Sequence, residues 1–183
     1  MLLNNKELII LEQFGGDYNK QAYGRQIAKK LNLNQKTVSN ILQGLEKGNI
    51  LKFTKQGKNK LYFLNRNNNL WRDTVKLIEL GKKIKFLEKH KNKQDLFVKL
   101  EEATRGISIL FGSYASGLET KESDIDIVVE SDVQGLESIE KLYDVKINPI
   151  KIKKPINPSD VLMKEIIENH IVLNGVEEFI KWI

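Results

Sequence analysis

Two aspartates stand two residues apart in Ser123-Asp124-Ile125-Asp126-Ile127-Val128-Val129, just after a turn of small residues, Gly112-Ser113-Tyr114-Ala115-Ser116-Gly117. Side chains of a strand alternate between its faces, so Asp124 and Asp126 point one way and Ile125 and Ile127 the other. Two like charges that close repel unless a counter-charge joins them. A divalent cation with hard oxygen ligands, Mg2+ or Mn2+, does so. The turn supplies backbone N–H groups and the Ser113 hydroxyl, which suit a phosphate. Together these groups read as a site for a metal-bound nucleoside triphosphate. The plainer alternative is a β-turn followed by a strand with two solvent-facing aspartates. It leaves Gly112-Ser113, Ser123 and the aspartate pair as coincidence.

Gly-Ser, then Ala and Gly in the turn, then Ser-Asp-Ile-Asp ahead of an apolar strand, resembles the minimal nucleotidyltransferases of the DNA polymerase beta superfamily. The resemblance covers roughly residues 104–183. It implies that Gly112 and Ser113, with Ser123 beside them, hold the nucleotide phosphates. It also implies that Asp124 and Asp126 are the catalytic pair and bind Mg2+. The family reaction moves a nucleoside monophosphate from a triphosphate onto an acceptor hydroxyl and releases pyrophosphate. In that family a third carboxylate lies on the third strand. Here the matching stretch is Lys146-Ile147-Asn148-Pro149-Ile150, with Asn148 at that position. An asparagine can ligate a metal through its carbonyl oxygen but cannot take a proton or add charge. Asp144 would share the face of Asn148 but lie roughly 13 Å from it along an extended strand, so it could stand in only in a different strand register. Pro149 removes a ladder donor, which points to an edge strand or a strand end.

The elements that must position these residues are an α+β set. Strands are expected at Ile107–Phe111, Asp124–Val129, Val145–Ile152 and Ile171–Leu173. Helices are expected at Gly135–Leu142, from Pro158-Ser159-Asp160 to Asn169, and at Val176–Ile183. Ahead of them, Leu96–Ala103 reads as a short helix.

The first part of the chain reads differently. Helices are expected at 5–17, Tyr23–Leu33 and Gln35–Lys47, the last capped by Asn34 and closed by Gly48. Ile50–Thr54 and Lys60–Leu64 alternate like strands around the turn Lys55–Asn59, which makes a hairpin with a basic tip. Three helices and a basic hairpin resemble a winged helix-turn-helix domain over residues 1–66. The resemblance implies double-stranded DNA as partner. Gln35, Lys36, Ser39, Asn40 and Gln43 would face the major groove, and Lys55, Lys58 and Lys60 would contact phosphates. A small domain for protein contacts, with solubilising lysines, is the alternative. Residues 67–103 form a connecting helical segment, weakened at Gly81. Six lysines fall between positions 82 and 93. The segment suits a homodimer helix or a linker packed on its own chain equally well.

The charge divides the same way. Residues 1–105 carry a net +12 and residues 106–183 a net −6. The basic part favours a polyanion; the acidic part favours one only through bound cations. With no cysteine there is no disulfide, thiolate metal site or thiol nucleophile. His90 and His170 do not suggest a zinc site. Met1-Leu2-Leu3 is followed by Asn4, Asn5 and Lys6, and no run of about 20 apolar residues exists. No signal peptide or membrane span is expected, and a cytoplasmic location is. The function expected is nucleotidyl transfer to a protein or nucleic-acid hydroxyl by a DNA-binding protein. Two alternatives remain: a transcriptional regulator that only senses nucleotide, or an antitoxin-type protein that pairs with a toxin partner.

Overall fold

The computed structural model describes residues 4–152 and 160–183. The chain divides into two compact units, Met1–Gly81 and Lys82–Ile183. Among the described residues no helix is long and apolar enough to cross a membrane.

The first unit packs helices on a small sheet. Its elements are α1 (Asn5–Leu11), β1 (Ala22–Tyr23), α2 (Gly24–Lys30), α3 (Gln35–Lys47), β2 (Leu51–Gln56), β3 (Asn59–Leu64) and the start of α4 (Trp71–Lys89). Asn4 caps α1 through a capping box with Glu7. α1 is shorter than expected because the chain tightens into a 3-10 turn over Glu12–Phe14. Asn34 caps α3 as predicted, its Oδ1 accepting from the Lys36 and Thr37 amides at 2.8 and 3.4 Å. The apolar stripe of α3, Val38, Leu42 and Leu45, is fully buried, as are Ile10, Leu11, Phe14 and Leu51. Each such side chain contributes about 1.5–3 kcal/mol. The strands pair in the order β1-β3-β2. β1 escaped the sequence reading because a two-residue strand has no periodicity to detect. β2 and β3 run on to Gln56 and Asn59, leaving a two-residue loop, Gly57-Lys58. Gly57 takes φ 60°, which such tight hairpin turns demand.

α4 continues through Gly81. A Cβ there would lie 2.6 Å from Glu12 Oε1, so the glycine makes room for the Glu12 side chain of the 3-10 turn. Tyr18 donates to the buried Glu79 carboxylate of α4. Burial first, then that charge, hold the Tyr18 hydroxyl well above the ordinary tyrosine range. Leu77, Leu80 and Ile84 are exposed along α4.

The second unit is built on a four-stranded mixed sheet of order β6-β5-β4-β7. The strands are β4 (Ser108–Leu110), β5 (Ile125–Val129), β6 (Ile147–Lys151) and β7 (Ile171–Asn174). β5 and β6 are parallel, while β4 pairs antiparallel with β5 and β7. α5 (Gln94–Ala103), α6 (Gly112–Ser116), α7 (Leu136–Tyr143), α8 (Val161–Glu168) and α9 (Val176–Phe179) complete it. Ile125, Ile127 and Val129 bury into one core with Leu96, Phe97, Leu100 and Leu110. The strand expected from Val145 starts two residues later. Asp144 takes a left-handed conformation (φ 49°) and the Val145 amide still bonds to Glu140 O, so α7 claims both residues. Asp144 therefore caps a helix and does not share a strand face with Asn148. Pro149 lies on β6, which ends the sheet. Pro158 and Ser159 lie outside the described residues. Asp160 caps α8, its Oδ1 accepting from the Leu162 amide at 3.1 Å.

Candidate active site

β4 delivers the chain to Gly112, and β5 delivers Asp126 to the same point. The Phe111 amide donates to the backbone oxygen of Asp126 at 3.1 Å. Gly112 follows with φ 66°, and a Cβ on it would lie 2.6 Å from Asp126 Oδ2. Only glycine meets both conditions, the left-handed backbone and the close carboxylate. α6 then turns once and ends at Gly117, also left-handed. Its last turn is tied down by Ser116 Oγ, which donates to Gly112 O and Ser113 O at 2.9 and 3.1 Å.

The parallel register of β5 and β6 places Asn148 beside Asp126. Asn148 Nδ2 donates to Asp126 Oδ1 at 3.1 Å and to Asp124 Oδ2 at 3.3 Å. One amide thus bridges both carboxylates, which shows that Asp124 and Asp126 share a face. All three side chains, with Gly112 and Ser113, are half-buried. Ser123 is engaged locally. Its Oγ accepts from the Thr120 amide at 2.8 Å and pairs with Thr120 Oγ1 at 3.2 Å, which closes the loop before Asp124.

Lys146 was not among the residues singled out from sequence. Its Nζ lies 3.5 Å from Asp124 Oδ2, and its backbone oxygen accepts from the Ile125 amide at 2.8 Å. The signal was available. Lys146 precedes Asn148 by two, as Asp124 precedes Asp126, so parallel pairing of the two strands aligns the pairs. A second support had no sequence signal. Glu119 Oε1 accepts from Lys89 Nζ at 2.8 Å and faces His90 Nε2 at 3.0 Å. Burial pushes the Glu119 carboxyl up, but bonds from Lys89, its own backbone and His90, with the Lys89 charge, outweigh it and hold it at about 2. Lys93 Nζ meanwhile donates to the Tyr114 hydroxyl at 2.5 Å. These contacts brace the segment between the Gly112-Ser113 turn and the aspartates.

Whether a divalent cation fits can be judged from the donors. Among the described residues no group of three or more His, Cys, Asp or Glu side chains is placed to hold a metal ion. Two carboxylates on one face nevertheless suit Mg2+, which is commonly held by one or two carboxylates plus substrate phosphates. Asn148 now turns its nitrogen to them; a half-turn of the amide would present Oδ1 instead. The donor set fits a cation that arrives with a triphosphate.

The family described as "Nucleotidyltransferase domain" matches residues 100–181. The "Putative protein adenylyltransferase" of Methanocaldococcus jannaschii is 38% identical over 74 residues, covering 38% of this chain and 67% of the relative. The chain belongs to the nucleotidyltransferase family. The matched nucleotidyltransferase residues hold the glycine turn, both aspartates and Asn148, so the groups that converge in space lie inside the family region.

The residues expected to meet DNA lie in the first unit. Gln35, Lys36, Ser39, Asn40 and Gln43 are all exposed on α3, opposite its buried stripe. Gln35, Ser39 and Gln43 line a groove of about 240 Å³ with Lys58 and Lys60 of the hairpin. Gln43 Nε2 donates to Ser39 Oγ at 3.2 Å. Lys55 and Lys58 are exposed, while Lys60 is half-buried with its Nζ 3.9 Å from the centre of the Phe53 ring.

Proposed function

We propose that the second unit transfers a nucleoside monophosphate from a nucleoside triphosphate to an acceptor hydroxyl. The first unit, in the same reading, is a winged helix-turn-helix module that binds double-stranded DNA. The observation that carries the transfer reading is the meeting of Asp124, Asp126 and Asn148 against the Gly112-Ser113 turn. In the reaction the acceptor oxygen bonds to the α-phosphorus and the bond from that phosphorus to the bridging oxygen breaks. Pyrophosphate leaves with the electron pair. The acceptor proton passes to a carboxylate of the pair or to water, since Asn148 cannot take it.

The residues have separate tasks. Gly112 and Ser113 bring backbone N–H groups and one hydroxyl to the β- and γ-phosphates. Asp124 and Asp126, with Asn148 Oδ1, would hold Mg2+ or Mn2+. When bound, the ion polarises the phosphate oxygens and offsets charge on the leaving group. Glu119, gripped by Lys89 and His90, holds the intervening loop so that turn and carboxylates keep their spacing. The name of the archaeal relative makes ATP the first nucleotide and a protein hydroxyl the first acceptor to try.

The test is incubation with Mg2+ and each α-labelled nucleoside triphosphate, with and without cell extract. Wild type is compared with the Asp124→Asn/Asp126→Asn variant. Label moved by wild type alone supports transfer and identifies both nucleotide and acceptor. One observation favours a second reading, a domain that senses nucleotide without turnover. The third position of the site is a neutral amide that already bridges both carboxylates. Nucleotide binding without label transfer would select it.

A further inference from the structure

The charge at the site does not match two divalent cations. Asp124 and Asp126 contribute two negative charges, and Asn148, aligned with Asp126 by the strand register, contributes none. Lys146 adds a positive charge 3.5 Å from Asp124. Metal pairs that clamp attacking and leaving oxygens stand about 3.5–4 Å apart. Their mutual repulsion is about fourfold that of two single charges at the same distance. Such a pair needs carboxylates around it, and the described residues offer no third one here.

The geometry points to a site that takes one divalent cation per bound triphosphate, with the Lys146 ammonium supplying the second positive charge to the phosphates. This rests on the nucleotide reading above. Lys146 is placed for it. Its main chain is tied to β5 through the Ile125 amide, while its side chain is 69% exposed and pairs only loosely with Asp124. Charge-assisted pairs that are locked lie at about 2.7–2.9 Å. A cation on Asp124 would repel the ammonium and release it. A lysine is a flexible point charge that binds phosphate readily. Asn148 serves the same economy of charge. Its N–H group offsets the carboxylate repulsion in the metal-free site, and its rotation exposes an oxygen when one cation arrives.

The test counts ions. Mn2+ is titrated into the full chain with saturating α,β-methylene-ATP, or the analogue of whichever base the transfer assay selects. Free Mn2+ is read by electron paramagnetic resonance. Wild type is expected to bind one Mn2+ per complex and the Asn148→Asp variant two. Lys146→Ala, a change at an exposed side chain, is expected to weaken analogue binding about tenfold, and Lys146→Arg to restore most of it. Two Mn2+ of similar affinity in wild type would overturn the one-cation site. Unchanged analogue affinity in Lys146→Ala would overturn the role of the lysine. Failure of wild type to bind the analogue at all would instead remove the nucleotide reading, and this inference with it.

Discussion

The exposed face of α3 and the β5–β6 end of the sheet both gather polar side chains, but by different means. On α3, Gln35, Lys36, Ser39, Asn40 and Gln43 share a face because Val38, Leu42 and Leu45 are buried on the other. The helix fixes their direction, and each side chain stays solvated. At the sheet end, strand register brings Asp124 and Asp126 within reach of the Asn148 amide. Gly112 closes that end with no room for a Cβ. The first arrangement suits a partner met through many weak contacts, as a nucleic-acid backbone is. The second is preorganised, as a site that stabilises developing charge must be. Charge is uneven along the chain as well, net +12 over residues 1–105 and net −6 over residues 106–183.

The two regions should separate most sharply at the aspartates. Asp124→Asn with Asp126→Asn is expected to lower nucleotidyl transfer by about 10³-fold or more, because it removes the charge that holds the cation. DNA affinity in a gel-shift assay should stay as in wild type. Transfer that survives the double change would place the chemistry elsewhere. Gly112→Ala comes next. A methyl group at φ 66°, 2.6 Å from Asp126 Oδ2, costs about 1–3 kcal/mol in strain and moves the carboxylate. Thermal unfolding should shift down and transfer should fall at least tenfold. Wild-type kinetics would show that the turn tolerates a side chain.

For the first unit, Lys55→Ala with Lys58→Ala and Lys60→Ala should weaken DNA binding. It should also flatten the plot of log affinity against log salt by about 2–3 in slope. Lys60, stacked on Phe53, is expected to contribute least of the three. An unaltered slope would remove the hairpin from the DNA contact, and transfer should not change in either case.

The smallest effect is a pH dependence. Glu119 is held at about 2 in the folded protein against an ordinary 4.5. Its stabilisation is therefore complete above about 4.5 and is lost as pH falls through about 2. Denaturation curves of wild type and Glu119→Gln should differ at pH 7 and converge towards pH 2. A difference independent of pH would mean that packing, not the carboxylate charge, holds the loop.

The placement of the candidate site residues was legible because their signals are local. A two-residue alternation places Asp124 and Asp126 on one face, and a glycine-serine turn marks the end of a strand. The Asn34 cap and the 3.6-residue stripe of α3 are local in the same way. Features that depend on a distant partner were not legible. β1 exists only because β3 lies beside it. Val145 is not in the strand because its amide is held by Glu140 O at the end of α7. What stands where a Cβ on Gly81 would be, Glu12 Oε1, comes from a segment far away in the chain. Glu119 carried no signal at all, since its partners lie 29 and 30 residues away in the chain.

Sequence by itself determined the residue types of the site, the side of the strand they occupy and the asymmetry of charge between the two parts. These follow from periodicity and composition, which need no partner. Tertiary structure alone decided that Asn148 bridges both aspartates, that Lys146 stands beside Asp124, and that Gly112 leaves no space for a methyl group. Those facts depend on the register of β5 against β6 and on the approach of β4, and a register is a property of two strands together.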